Sequence, residues 1–244
     1  DKYNILQSAL AASENIFAII NTASEPNGEK IFNGNFETIK FDNVSFRYDD
    51  KTWVLKDFNL EIKKGQSLVL LGPTGSGKTT IVNLILGFYM PQKGAIYIDD
   101  EPLSSFNLKS IRENFSVIMQ DTPLFDNVPH EGVYHDIKEI QSRGEKQIDN
   151  IKTIMSKPFH VVILDEATSN LDLDLEKHVK EYLDGIEGKT SILIAHRLNL
   201  IKDSNEIIVL KNGKIIEKGA HKELSKKEGE YSKIFQLNRK FYEE

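Results

Sequence analysis

The sequence predicts an α/β fold in which a parallel β-sheet, covered on both faces, is preceded by an antiparallel β layer. Three observations carry this. Short, wholly apolar runs at Leu68–Leu71, Val117–Met119, Val161–Leu164 and Ile192–Ala195 are separated by helical segments, as in buried parallel strands. The stretches Glu37–Tyr48 and Val54–Ile62 instead alternate apolar and polar residues around the turn Asp49-Asp50-Lys51, as half-buried antiparallel strands do. Finally, a glycine-rich segment from Gly72 to Thr79 joins the first apolar run to a helix-like stretch, Thr80–Phe88.

In chain order, Ile5, Leu6, Ala9, Leu10, Ile16, Phe17 and Ile20 recur at helical spacing and predict an amphipathic helix over 3–21, ended by Pro26-Asn27-Gly28. The antiparallel pair follows, then the apolar strands. Residues 121–142, with Pro123, Pro129 and Gly132 among mixed polar residues, hold no clear period. Near the end, Glu206–Leu210 and Lys214–Glu217 flank Lys211-Asn212-Gly213, a hairpin signal. Helical pieces at about 220–227 and 229–242 close the chain. There is no internal repeat.

Composition narrows the function classes. At 244 residues, 39% hydrophobic and 28% charged, the chain can bury a sizeable core and is neither collagen-like nor disordered in composition. Lys plus Arg number 31 against 37 Asp plus Glu, a net charge of −6 with no long basic block, which argues against nucleic acid as a partner. Without cysteine there is no disulfide framework and no thiolate metal site. No apolar run approaches the roughly 18 residues of a membrane-spanning helix. The chain begins at Asp1 rather than Met, as a processed chain or, more simply, a fragment of a longer protein would.

Gly72-Pro73-Thr74-Gly75-Ser76-Gly77-Lys78-Thr79 fits G-x-x-x-x-G-K-[ST], between an apolar strand and a helix as that motif requires. Gly72, Gly75 and Gly77 let the backbone turn so that successive N–H groups, with those of Thr74, Ser76 and Thr80, face phosphates at a helix N-terminus. Lys78 would bridge the β- and γ-phosphates of ATP, and the Thr79 hydroxyl would bind Mg²⁺. Val161–Leu164 runs into Asp165-Glu166. Asp165 can hold Mg²⁺ through water, and Glu166 can orient or deprotonate the attacking water. His196 follows another apolar strand, from where an imidazole can reach a γ-phosphate. Strands ending in two acids and lone histidines at strand ends are also common as structure alone; the upstream phosphate loop favours the catalytic reading.

These motifs, in this order, resemble the nucleotide-binding domain of ATP-binding cassette transporters of the exporter type, over nearly the whole chain. The resemblance implies further roles. Tyr48 falls where the family's adenine-stacking aromatic lies. Gln120, before Asp121-Thr122-Pro123-Leu124-Phe125, is similar to the Q-loop glutamine that contacts Mg²⁺ and the attacking water. Ser169-Asn170-Leu171-Asp172 resembles the D-loop, and Ala195-His196-Arg197-Leu198 the switch-histidine motif. The opening helix resembles the cytoplasmic end of an exporter's last transmembrane helix.

Two departures stand out. Where the family's L-S-G-G-Q signature belongs, the chain has Gln141-Ser142-Arg143-Gly144-Glu145, in which only Ser142 and Gly144 match. That loop is presented to ATP held by the opposite subunit, so Arg143 adds bulk where backbone should approach phosphate, and Glu145 places a carboxylate near an anion. In addition, only 22 positions separate Gln120 from Ser142, where family members carry a longer helical subdomain.

The expected organisation is a linker helix over 1–30 and a nucleotide-binding domain over 31–244. That domain would be a RecA-like P-loop NTPase core with an antiparallel β subdomain at about 36–66 and a reduced helical region at about 121–157. The resemblance implies an ATPase that powers export at the cytoplasmic face of a membrane. Its partners would be a transmembrane domain and a second nucleotide-binding domain, in a homodimer or, by preference, an asymmetric heterodimer. The alternative is a catalytically weak nucleotide-binding scaffold or regulatory cassette.

Overall fold

The computed structural model describes residues 27–119, 159–165, 188–194 and 201–243, and, ahead of these, residues 2, 3, 7, 10, 13, 14, 16, 17, 20, 21 and 25. Two sheets organise it. The first is antiparallel, in the order β2-β1-β4-β5, from β1 (Thr38–Phe46), β2 (Leu55–Lys63), β4 (Lys93–Ile98) and the short β5 (Glu101–Pro102). The second has six strands, β10-β9-β3-β8-β7-β6: β3 (Ser67–Leu71), β6 (Phe115–Met119), β7 (Val161–Asp165), β8 (Thr190–Ile194), β9 (Glu206–Lys211) and β10 (Lys214–Gly219). Its strands pair in parallel except β10, which folds back antiparallel on β9 at the edge.

The apolar runs behave as buried strands because both faces of this sheet are covered. Leu68, Leu70, Ile163, Ile192, Ile194, Ile208 and Leu210 enter one core. That core is shared with Phe41, Phe46, Leu55 and Ile62 of the antiparallel sheet and Ile81 and Leu84 of α1 (Lys78–Ile85). Their neighbours Val69, Leu71, Val162, Leu164, Leu193, Ile207 and Val209 enter a second core, with Leu224 of α3 (His221–Leu224) and Tyr231 of α4 (Glu230–Glu243). With successive side chains on opposite faces, each strand must be apolar throughout, hence no alternation.

The expected antiparallel pair is present, with Phe41 opposite Leu60 and Ile39 opposite Ile62. Its first strand ends at Phe46, two residues earlier than the alternation suggests, which leaves Tyr48 beyond the sheet. The strand Lys93–Ile98, which pairs β1 on its other side, and the helix α2 (Leu108–Glu113) were not among the expected elements. Short β4 starts in Lys-Gly, which weakens its pattern, and α2 has only six residues, too few to show a period. Asn107 caps α2 by accepting a hydrogen bond from the Ser110 N–H at 3.1 Å. The described residues of the opening segment are mostly helical, as expected, but Tyr3, Leu10, Phe17 and Ile20 are exposed. The reduced region at 121–157 lies outside the described residues.

Candidate nucleotide-binding site

The site begins where β3 ends. Leu71 leads into Gly72, and a tight turn, closed by the Ser76 N–H donating to the Pro73 carbonyl at 3.1 Å, carries the chain to the N-terminus of α1. Gly77 occupies the N-cap position at φ 103° and supplies no side-chain cap, so the first N–H groups of the helix are left to whatever the loop binds. Thr74, Gly75 and Thr79 are exposed, while Ser76, Gly77, Lys78 and Thr80 are buried.

Three features fit the loop to phosphate. The Lys78 ammonium, 6% exposed, folds back to donate to the Gly72 carbonyl at 2.8 Å and the Pro73 carbonyl at 3.1 Å, so the loop already holds a cation over its own backbone. The Ser76 hydroxyl is buried with no hydrogen-bond partner among the described residues. Among the described residues, a Cβ built on Gly75 would meet nothing within 4 Å, which leaves room at the loop crest. Charge, an unmet polar atom and room together suit an anion.

The parallel sheet sets the rest. Its register places Leu70 opposite Ile194, Ile194 opposite Asp165, and Asp165 opposite Met119, one level row across four strands at their carboxyl ends. Ligands of open α/β sheets bind at this edge. Asp165, 8% exposed, is the last residue of β7. The structure thus brings Gly72–Thr80 and Asp165 to one edge of one sheet. Among the described residues no cluster of three or more His, Asp or Glu is arranged to hold a metal. Gln120, Ser142, Gly144, Glu166, Asp172 and His196 lie outside the described residues.

Tyr48 stands beside the helix that follows the loop. Its hydroxyl lies 3.2 Å from the Thr80 Oγ1 and accepts from the Asn83 Nδ2 at 3.3 Å. Phe46 meets its ring edge-on at 4.9 Å and Tyr89 at 5.0 Å, and the residue stays 52% exposed. Such a ring is held at its rim and is available for stacking. Asn83 and Tyr89, which fix it, were missed by sequence reasoning; the two tyrosines are 41 residues apart, and no local pattern joins them.

Fold and loop together define a P-loop nucleotide-binding α/β domain. Residues 55–137 match the ABC transporter family. The chain belongs to that family as an exporter-type nucleotide-binding domain, the family's ATPase unit. It is 32% identical over 271 positions to an ATP-dependent lipid A-core flippase of Alkalilimnicola ehrlichii, which takes in 95% of this chain and 46% of the flippase. With the mitochondrial iron-sulfur clusters transporter atm1 of Neurospora crassa it shares 32% identity, over 96% of this chain and 39% of the transporter. In three dimensions it resembles a bacterial Atm1-family ABC exporter with ATP bound, at a TM-score of 0.82 and 26% identity, over 97% of this chain and 49% of the other. The chain thus spans less than half the length of these relatives. The 271 aligned positions include only 95% of 244 residues, so roughly forty of them are filled by the flippase alone.

Proposed function

We propose that the chain binds and hydrolyses Mg-ATP as one half of a nucleotide-sandwich dimer that powers export, at the cytoplasmic face of a membrane, through a transmembrane domain to which its opening helix leads. The observation that carries this reading is the buried Lys78 ammonium poised over the loop backbone at the sheet edge where β7 delivers Asp165.

In this reading Lys78 leaves the Gly72 and Pro73 carbonyls for the β- and γ-phosphates, joined by the loop N–H groups and the open end of α1. Tyr48 stacks on the adenine. Thr79, Gln120 and Asp165 would hold Mg²⁺, which would neutralise charge on the transferring phosphoryl group. Glu166 takes the proton of the attacking water, and His196 donates to the γ-phosphate. Ser142, Gly144 and Asp172 would serve the nucleotide of the other subunit.

The positions filled by the flippase alone support a helical region shortened within 121–157, as does a family match that stops at 137. With Arg143 and Glu145 in the signature, this chain would impair the site on its partner's phosphate loop while keeping a sound loop of its own, which favours an asymmetric heterodimer. Phosphate release should be slow for the chain alone and rise on mixing with a cassette that carries L-S-G-G-Q. No turnover in either case, with Mg-ATP binding retained, would make the chain a nucleotide-binding scaffold instead.

A further inference from the structure

The hairpin between β9 and β10 is distant in sequence from the phosphate loop but touches it twice. Its turn donates the Gly213 N–H to the Ser76 carbonyl at 3.2 Å. One strand residue earlier than the turn, the Leu210 carbonyl lies so close to Gly72 that a Cβ there would sit 2.2 Å from it. The turn itself is pressed from behind, since a Cβ on Gly213, at φ 71°, would fall 2.0 Å from the Val54 carbonyl oxygen and 3.2 Å from the Leu55 Cα. Both obstacles are backbone, so no side chain can step aside.

We infer that Gly213 is a positioning residue for nucleotide binding, acting through the Ser76–Gly77 peptide. A trans peptide is planar, with its C=O and N–H pointing in opposite directions. Holding the Ser76 carbonyl toward the hairpin therefore turns the Gly77 N–H away from it, to the side of the loop that an anion occupies. The peptide is followed by glycine, whose permissive backbone makes a flip cheap, so nothing local fixes its direction. The hairpin amide supplies what the loop lacks. A donor oriented before the ligand arrives spares the ligand the cost of orienting it.

The inference rests on the loop being the nucleotide site, and Mg-ATP titration of the parent chain tests that separately: no binding there overturns both. Three variants of the same chain test the inference itself. Gly213→Ala introduces the clash with Val54. An ester at the Asn212–Gly213 linkage, made by incorporating glycolic acid at 213, deletes only the N–H. Asn212→Gly alters the same turn, at φ 52°, with the Gly213 amide intact. Trp53, the one tryptophan and the neighbour of Val54, reports binding by its fluorescence. The ester should weaken Mg-ATP binding roughly three- to tenfold, the range of one hydrogen bond. Gly213→Ala should weaken it further, while Asn212→Gly stays within about twofold of the parent. The thermal midpoint without nucleotide should move little for the ester, so that the loss appears in the nucleotide-induced rise. A folded ester variant that binds like the parent overturns the inference. So does equal weakening by Asn212→Gly, which would mean that the hairpin matters only for general stability.

Discussion

Replacing Lys78 by alanine separates binding from folding, and the structure sets the size of the effect. Without nucleotide, the ammonium makes two hydrogen bonds to neutral carbonyls, those of Gly72 and Pro73, while almost wholly buried. Truncation removes these bonds together with the cost of burying the charge, so it should change the thermal midpoint by no more than a few degrees. Against phosphate the balance differs. Hydrogen bonds to a charged group contribute about 1.5–3 kcal/mol net, and each 1.4 kcal/mol is tenfold in affinity, so Lys78→Ala should raise the Kd for Mg-ATP roughly 10- to 150-fold. Titration calorimetry gives the Kd and scanning calorimetry the midpoint, on the same preparation. A Kd within twofold of the parent, in a variant that melts cooperatively, would refute the assignment of the loop. A collapse of the midpoint with no further loss of affinity would mean that Lys78 is a structural clasp.

Other expectations follow from the proposed roles and from the described contacts. Tyr48→Ala should lose the stacking of the base, about 1–3 kcal/mol, whereas Tyr48→Phe keeps the ring and loses only the contacts to Thr80 and Asn83; fluorescence titration should rank them in that order. Glu166→Gln should bind Mg-ATP nearly as the parent does and release no phosphate above background, because an amide cannot accept the water's proton. Beside the second core, the His221 Nδ1 lies 2.7 Å from the hydroxyl of buried Tyr231, whose pKa burial pushes up to about 12. Burial and the Lys202 ammonium lower the His221 pKa, against a weaker opposite pull from Asp203. A depressed value means that the folded form binds its proton less readily than the unfolded chain, so this contribution is complete above about pH 6.5 and is lost as the pH falls below it. Melting between pH 8 and 5.5 should therefore destabilise the parent more than His221→Gln, and parallel curves would exclude the coupling.

Legibility followed the range of the interactions. The phosphate loop could be read residue by residue because strand, turn and helix N-terminus are consecutive, and the structure places Gly72–Thr79 in that context. The parallel strands were equally plain, since burial on both faces leaves a continuous apolar run at Val161–Leu164 and Ile192–Ile194. Lys93–Ile98 escaped because its pattern is half-exposed and opens on Lys-Gly. The support of Tyr48 by Asn83 and Tyr89 and the grip of Leu210 and Gly213 on the loop escaped for another reason. The hairpin turn was visible as Lys211-Asn212-Gly213, but its destination depends on β9 lying next to β3, and strand order is not written in either strand.

Strand order also bears on the proposed pairing of a sound loop with a faulty signature. Gly72–Thr80 and Asp165 are positioned by the parallel sheet, where β3, β8 and β7 share a row of paired residues and a buried core. In the sequence, Arg143 and Glu145 fall between β6 and β7 and outside both strands. The paired row of Leu70, Ile194 and Asp165 includes neither residue, so in the proposed reading the loop keeps its support whatever the signature carries. In a sandwich of two cassettes, each nucleotide contacts the loop of one subunit and the signature of the other. In the proposed dimer the defect would therefore fall on the partner's nucleotide, and the chain's own loop would be only as active as the signature that its partner supplies.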